Sequence, residues 1–182
     1  MRINRIKDND IANGFGITMS LWTQGCPHHC KGCFNEETWN FHYGKPFTEE
    51  TEKQVLDYLD KSYIAGLSLL GGEPFEHVNQ QGLLPLLRKV KARFPEKNIW
   101  CYTGYDFEKD ILGRMAEQWE ETKEMLSYID VLVDGDFVQD QYDISLRFRG
   151  SSNQRLIDMN KTRAAGRVIL WQDDPIFADH SM

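Results

Sequence analysis

Short apolar runs alternate with longer segments of helical periodicity along most of the chain, and this alternation constrains the fold more than any other feature. The runs predict strands at 17–23, 66–70, 98–103 and 129–133, with two shorter candidates at 156–157 and 168–171. Helical segments separate the first four strands. A strand–helix–strand repeat predicts parallel strands joined by right-handed crossovers.

The helical segments carry start and stop signals. Thr48 is a predicted N-cap, because three glutamates follow it in what would be the first turn of a helix. The second helix is expected to end before Pro95, where the proline cannot continue it. The third is predicted as one helix from Ile111 to about Ser127.

With 182 residues, the chain is too short for an eight-fold β/α barrel, which needs about 250. We therefore predict a single α/β domain over residues 1–182, built as a partial, incomplete parallel β/α barrel. An open doubly wound sheet is the alternative. Both architectures place function in the loops that follow the strands, and these loops leave a parallel sheet at the same edge.

The charge balance excludes some classes of function. A formal net charge of −7 argues against a nucleic-acid or anionic-membrane binder. The apolar stretches are far shorter than a membrane span, and the N-terminus is charged where a signal peptide would be apolar. We expect a cytoplasmic protein with reduced thiols. Three of the four cysteines crowd into one loop, which disfavours a disulfide framework.

Cys26, Cys30 and Cys33 follow the first predicted strand in the pattern C-x3-C-x2-C. Thiolates this close together suit a metal. A structural zinc ion usually takes four protein ligands, whereas a four-iron cluster held by three cysteines keeps one iron open for another ligand. The number of cysteines therefore favours an iron–sulfur cluster.

A zinc site is the alternative, completed by His28, His29 or Cys101. It would make the protein a noncatalytic, zinc-stabilised interaction module. No second pair of ligands accompanies the triplet, however, and Cys101 alternates within an apolar strand as a core thiol would. In the cluster interpretation, the two histidines are spacers or hydrogen-bond donors around the ligands.

The turn Gly71-Gly72-Glu73-Pro74 follows the second predicted strand. Its two glycines permit unusual backbone angles and close approach to a ligand. The Glu73 carboxylate and the nearby backbone can then receive an ammonium group. Such a turn is a weak signal alone, but together with the cysteine triplet it is a strong one.

The cysteine triplet after one strand, with this turn after the next, resembles the radical S-adenosylmethionine superfamily. Within it, the chain resembles the activating proteins of anaerobic (class III) ribonucleoside-triphosphate reductases. The stretches that carry this narrower resemblance are 24–35, 38–39, 100–105, 130–137 and 149–155. The fold that the resemblance implies is a partial barrel of the superfamily's type.

The resemblance also implies an enzyme with one 4Fe–4S cluster on Cys26, Cys30 and Cys33. The open iron is expected to chelate the amino and carboxylate groups of S-adenosylmethionine, with the amino group placed by the turn at 71–74. Reductive cleavage gives a 5′-deoxyadenosyl radical, which takes a hydrogen atom from a glycine of the reductase's catalytic subunit. The implied electron donor is a reduced flavodoxin-like protein, and no catalytic acid–base side chain is required.

Further cofactor contacts are expected around the same edge. The adenine contact is the backbone at Gly32 and Cys33 or the Phe34 ring, because many superfamily members have an aromatic residue where this chain has Gly32. Thr103 and Asp134, at the ends of the third and fourth predicted strands, are candidates for the ribose or the methionine carboxylate, although both are also ordinary turn residues.

The segment 147–155 and the target of the radical each have two interpretations. The arginine-rich segment 147–155 is a candidate for partner docking or ligand binding, and also for a solvated polar turn. The target of the same radical chemistry could be another glycyl-radical protein or a small molecule instead of the reductase.

Metal content separates the iron and zinc interpretations. Protein reconstituted anaerobically with iron and sulfide is expected to be brown, to bleach in air and to hold about four irons per chain, as a 4Fe–4S protein does. The measurement is iron and zinc per chain. A colourless protein that holds zinc tightly and takes up no iron would favour the interaction module.

Overall fold

A seven-stranded mixed sheet forms the centre of the structure, a computed structural model that describes residues 1–175. The strands are β1 Arg2–Asp10, β2 Thr18–Thr23, β3 Lys45–Pro46, β4 Gly66–Gly71, β5 Asn98–Tyr102, β6 Val131–Asp134 and β7 Arg155–Asp158. Their order across the sheet is β3-β1-β2-β4-β5-β6-β7. The predicted single domain also included residues 176–182, which lie outside the described residues.

The four central strands run parallel, as the sequence predicted. β2 pairs with β4, β4 with β5 and β5 with β6, all in the parallel sense. These strands are short and almost wholly buried, as expected where both faces of a parallel sheet are covered. The loops that follow them therefore leave the sheet at one edge.

Antiparallel strands flank this parallel centre on both sides. β1 pairs with β2 and β3 with β1, while β7, whose position was predicted, pairs with β6. The sequence pattern missed β1 because charged residues dominate it, and Ile3 is its one buried apolar side chain. The sheet does not close, since β3 and β7 are its edges. The architecture is a mixed α/β one with an open, partly parallel sheet.

The candidate strand at 168–171 is wrong. Within it, Leu170 makes one isolated antiparallel bridge, to Ile157 of β7. The segment does not extend further as a strand, and the Trp171 ring packs against Trp100 at a centroid distance of 5.2 Å.

Helices cross over between the parallel strands: α1 Glu49–Leu59, α2 His77–Arg93, and the pair α3 Ala116–Gln118 and α4 Glu120–Tyr128, which a π-helical segment at Phe107–Met115 precedes. A last helix, α5 Met159–Ala165, follows β7, and short 3₁₀ turns lie at Glu36–Thr38 and Gln139–Gln141. Thr48 caps α1 as predicted, because its hydroxyl oxygen accepts a hydrogen bond from the Thr51 N–H. α2 ends before Pro95, also as predicted.

The prediction of one continuous third helix is wrong. The backbone at Trp119 is extended, with φ −133° and ψ 121°, and it separates α3 from α4. The Trp119 ring stacks on His77 of α2 with centroids 4.5 Å apart. This contact between helices favours the break, which the helical spacing of apolar residues does not reveal.

The two faces of the sheet are covered differently. In β5, Ile99 and Cys101 belong to the large core cluster that includes the helices. Trp100, which points to the opposite face, packs in a smaller cluster with Val133 and Phe148. None of the helices within residues 1–175 combines the length and apolarity that a membrane crossing requires.

Gly66 begins β4 between β2 and β5, where an added Cβ has no room. That Cβ would lie 2.0 Å from the Asn98 carbonyl oxygen, so the backbones of β4 and β5 would have to separate. We expect Gly66→Ala to lower the free energy of unfolding by roughly 1–3 kcal/mol, as overpacking typically does. Urea denaturation measures this loss.

Gly82→Ala is the matched control for that substitution. Gly82 lies inside α2, and an added Cβ would lie 2.5 Å from Cγ and 2.7 Å from Cβ of Met1, so the first residue of the chain would have to shift. Alanine favours a helix over glycine by about 1 kcal/mol, which offsets part of that cost, so this variant is expected to lose less stability than Gly66→Ala. Equal losses in the two variants would contradict the role given to Gly66.

Candidate functional site

A cavity of about 350 Å³ opens at the edge of the sheet where the four parallel strands end. Its size is in the range of small-ligand pockets. Most of the predicted site residues line it: Cys26, Cys30, Cys33, Phe34, Gly71, Gly72, Glu73 and Thr103. Gly32, Pro74 and Asp134 are not among its lining residues. The parallel topology thus brings the cysteine loop and the Gly-Gly-Glu-Pro turn together, as the sequence predicted.

Backbone hydrogen bonds hold the cysteine loop in place. The Gly25 N–H donates to the Thr38 carbonyl at 2.7 Å, and the Cys26 N–H donates to the Trp39 carbonyl at 3.1 Å. Gly25 itself has φ +97°, and its carbonyl accepts the Glu73 N–H at 2.8 Å. The loop after β2 and the turn after β4 are therefore joined directly through their main chains.

The number of thiols at the cavity favours a cluster over a single ion. Cys26, Cys30 and Cys33 all line the same cavity. A structural zinc ion usually takes four protein ligands, whereas a four-iron cluster held by three cysteines keeps one iron open. Three thiols at one cavity therefore suit a four-iron cluster better than a structural zinc ion.

The protein environment does not ionise the thiols of Cys26 and Cys30 by itself. Burial, aided by the negative charge of Glu73, raises the pKa of Cys26 to about 12. Burial and the nearby Asp136 carboxylate raise the pKa of Cys30 to about 11. Thiolates at such a site need a positively charged metal to offset the neighbouring carboxylates, and metal binding would release their protons.

Glu73 is buried, with 1% of its surface exposed, and its carboxylate is fully engaged by protein donors. Oε1 accepts the Phe75 N–H and the Thr103 hydroxyl, each at 2.8 Å. Oε2 accepts the Gly104 N–H at 2.9 Å and lies 3.0 Å from Nε2 of His28. The oxygens that the sequence offered to an ammonium group are thus already hydrogen-bonded within the protein.

His28 lies between two carboxylates. Nε2 faces Glu73 at 3.0 Å, and Nδ1 lies 2.8 Å from Oδ1 of Asp136. Burial alone would lower the pKa of His28, but the hydrogen bonds to Asp136 and Glu73 outweigh it and raise the pKa to about 10. The imidazole is therefore held as a cation that donates from both nitrogens.

This environment leaves the zinc alternative without a fourth ligand. Both ring nitrogens of His28 contact carboxylates, and the His29 ring stacks on Trp39 at 4.6 Å. Cys101 is fully buried in the large core cluster, as expected of a structural thiol. None of the three proposed partners is placed to complete a tetrahedral site.

Asp134 contacts Arg155 instead of facing the cavity. Its carboxylate accepts the Phe107 N–H at 3.0 Å and the Arg155 Nε–H at 3.0 Å, and 1% of the residue is exposed. Arg155 also pairs with Glu108 at 2.6 Å. The ion pair fixes β6 against β7, so the contacts of Asp134 and Arg155 are structural ones.

The rim of the cavity is aromatic. Phe34 is 66% exposed and packs against Phe137 and Tyr142, with ring centroids 5.2 and 5.7 Å away. Gly32, in contrast, faces the Gln139 side chain. Among the residues predicted to contact adenine, Cys33 and Phe34 line the cavity and Gly32 does not.

Some residues at the cavity were not among the predicted site residues. Phe137 lines it, and the neighbouring Asp136 lies against His28; both follow β6, so their position after a parallel strand was an available signal. Arg149, from the segment that was a candidate for ligand binding, lines the cavity and donates from Nη1 to the Gln154 carbonyl at 2.7 Å. Asn13, which precedes the first predicted strand, also lines the cavity.

Comparisons with known proteins agree with this site. A model of the family described as "4Fe-4S single cluster domain" matches residues 12–157. The anaerobic ribonucleoside-triphosphate reductase-activating protein of Enterobacteria phage T4 is 44% identical over 156 residues, which cover 86% of this chain and 93% of that protein. The proteins of that name from Haemophilus influenzae and Escherichia coli K12 are 42% and 41% identical over 147 residues, covering 80% of this chain and 90% of each relative.

Gly72 lies directly against Gly25 of the cysteine loop. An added Cβ would lie 2.5 Å from the Gly25 carbonyl oxygen and 3.0 Å from its nitrogen. We expect Gly72→Ala to push the two loops apart, to lower iron per chain after reconstitution, and to lower the free energy of unfolding by roughly 1–3 kcal/mol. A variant that retains iron as well as wild-type protein would contradict this reading of the contact.

Proposed function

We infer the function from the family: this chain belongs to the anaerobic ribonucleoside-triphosphate reductase-activating proteins and carries a 4Fe-4S single cluster domain. On this premise, we propose that it generates a glycyl radical on such a reductase. The relatives are named as activating proteins of this reductase, which supports it as the protein partner. The observation that carries the proposal is the meeting of three cysteines and the Gly-Gly-Glu-Pro turn at one cavity.

The cofactor set follows from the same residues. Cys26, Cys30 and Cys33 would hold the cluster, since all three line one cavity. When bound and reduced, such a cluster would supply the electron that cleaves S-adenosylmethionine into methionine and a 5′-deoxyadenosyl radical, and this radical would take a hydrogen atom from a glycine of the reductase to give 5′-deoxyadenosine. We propose both the three-cysteine ligation and S-adenosylmethionine as the second cofactor.

The chain's own residues would bind and orient S-adenosylmethionine. The turn at 71–74 lies against the cysteine loop and would place the amino end of the molecule near the thiols. Glu73, already hydrogen-bonded, would act through its negative charge and by fixing the turn. Orientation of a reacting bond in this way can supply about 7–11 kcal/mol of a barrier in favourable cases.

The aromatic rim would shield the reaction from water. Phe34 and Phe148 line the cavity, and Phe34 packs with Phe137 at its mouth. We place the adenine at the Phe34 ring and the Cys33 backbone. Thr103 would contact the ribose through the hydroxyl that also donates to Glu73, whereas Asp134 would only support the site by holding β6 against β7 through Arg155.

We infer a partial barrel of the radical S-adenosylmethionine type, with residues 1–182 as one domain. The helices pack on one face of the sheet and the cavity opens beside the other, which supports this fold.

A reduced flavodoxin-like protein is the proposed electron donor, and the cytoplasm, where thiols stay reduced, is the proposed location. Another glycyl-radical protein or a small molecule is the alternative target.

Cleavage of S-adenosylmethionine is the first test. Anaerobically reconstituted, reduced wild-type protein is expected to form 5′-deoxyadenosine, and Cys30→Ala to lose both iron and product because one ligand is gone. Cys101→Ala is the matched control: this thiol lies in the core, so cluster and product should be retained. Iron per chain and 5′-deoxyadenosine are measured on the same samples.

The partner is tested by adding an anaerobic ribonucleoside-triphosphate reductase to the same mixture. A glycyl radical detected by electron paramagnetic resonance on the reductase is the expected result. Product without a radical on the reductase would point to another target. No 5′-deoxyadenosine from wild-type protein that holds its 4Fe–4S cluster would overturn the radical mechanism.

A further inference from the structure

One buried side chain joins the loops around the cavity. His28, in the cysteine loop, contacts Glu73 of the turn after β4 through Nε2 at 3.0 Å. Through Nδ1 it contacts Asp136 of the loop after β6 at 2.8 Å. Glu73 in turn accepts the Gly104 N–H from the loop after β5. Asp136, His28, Glu73 and Gly104 thus form a relay of contacts that joins all four loops that follow the parallel strands.

The surrounding residues are shaped to admit the ring. The His28 side chain is 10% exposed and packs edge-on against Tyr105, with centroids 4.4 Å apart. A Cβ on Gly104 would lie 2.7 Å from the His28 ring and 2.6 Å from Oδ1 of Asp136. Glycine at 104 thus leaves the space that the ring occupies.

Glu73 depends on this contact for its position. Its carboxylate is buried, and a buried charge is costly unless it is paired and hydrogen-bonded. Without His28, Oε2 would keep the Gly104 N–H and lose its contact with Nε2 on the cysteine loop. The main-chain bond from the Glu73 N–H to the Gly25 carbonyl would still join the two loops, so the cysteines would keep their places. The carboxylate, however, would lose the side-chain contact that fixes it relative to the three cysteines.

We propose that His28 is a positioning residue for S-adenosylmethionine: it fixes the Glu73 carboxylate, and through it the turn at 71–74, relative to the three cysteines. The inference rests on the proposed function for the identity of the ligand. His28 does not serve as an iron ligand in this role, because both of its ring nitrogens are directed at carboxylates. Its effect is on affinity for S-adenosylmethionine, not on cluster assembly.

The test compares the same substitution at two adjacent histidines. In His28→Asn the shorter side chain cannot span both carboxylates. His29→Asn is the matched control, since His29 is exposed, stacks on Trp39 and has φ +53°, a conformation that asparagine tolerates. Iron per chain, the Kd for S-adenosylmethionine and its KM are measured on reconstituted protein.

We expect His28→Asn to bind iron as the wild type does and to raise the Kd and KM for S-adenosylmethionine about tenfold or more, the effect of losing a charge-assisted hydrogen bond. His29→Asn should leave all three values unchanged. Wild-type affinity in His28→Asn would overturn the proposal. Loss of iron in His28→Asn would also overturn it, because the residue would then support the cluster.

Asp136→Asn provides a second route if His28→Asn folds poorly. Asp136 has 54% of its side chain exposed, so the substitution should be tolerated, and it weakens one end of the relay. A smaller rise in Kd, in the same direction, is expected, and no rise would contradict the proposal. Wild-type cleavage measured beside the variants tests the proposed function separately, so failure of one does not imply failure of the other.

Discussion

The buried carboxylate of Glu73 is the constraint on which the site depends. A charge with 1% exposure must be satisfied within the protein, and its partners come from three different loops. Its own turn supplies the Phe75 N–H, the loop after β5 supplies Thr103 and Gly104, and the cysteine loop supplies His28. Satisfying this one group therefore fixes the relative positions of the segments that surround the cavity.

The parallel centre of the sheet makes this convergence possible. Because β2, β4, β5 and β6 all point the same way, residues that are far apart in sequence meet at one edge. Segments next to the antiparallel strands add to the cavity wall, with Asn13 between β1 and β2 and Arg149 before β7. The antiparallel strands themselves complete the sheet on either side. The helices, packed on one face, leave the other face available for the cavity and its aromatic wall.

The parallel strands, the cap at Thr48 and the meeting of the two motifs could be predicted, because each has a local signal. Hydrophobic runs mark buried strands, and topology then places their loops. β1 could not be found in this way because its alternating charges resemble a surface segment. The break at Trp119 depends on a ring stacked against another helix, a tertiary contact that helical periodicity does not encode.

The same limit applies to the site. The types of residue at the cavity could be read from the motifs, but hydrogen-bond partners could not. Glu73 looked like a free acceptor and proves to be saturated by protein donors, while Asp134 turns to Arg155. From the sequence, His28 was either a spacer or a hydrogen-bond donor whose partner could not be named. In the structure it lies between the carboxylates of Glu73 and Asp136. Pairings of this kind are set by three-dimensional proximity between loops.

The main-chain hydrogen bonds of the cysteine loop have a consequence for survival in air. Gly25 and Cys26 are tied to Thr38 and Trp39, and Glu73 to Gly25, by backbone groups that oxygen does not attack. The loop would therefore keep its fold when a cluster is lost to oxygen. Fresh iron and sulfide could then restore the site for as long as the three thiols stay reduced, so the thiols and not the backbone set the limit of repair.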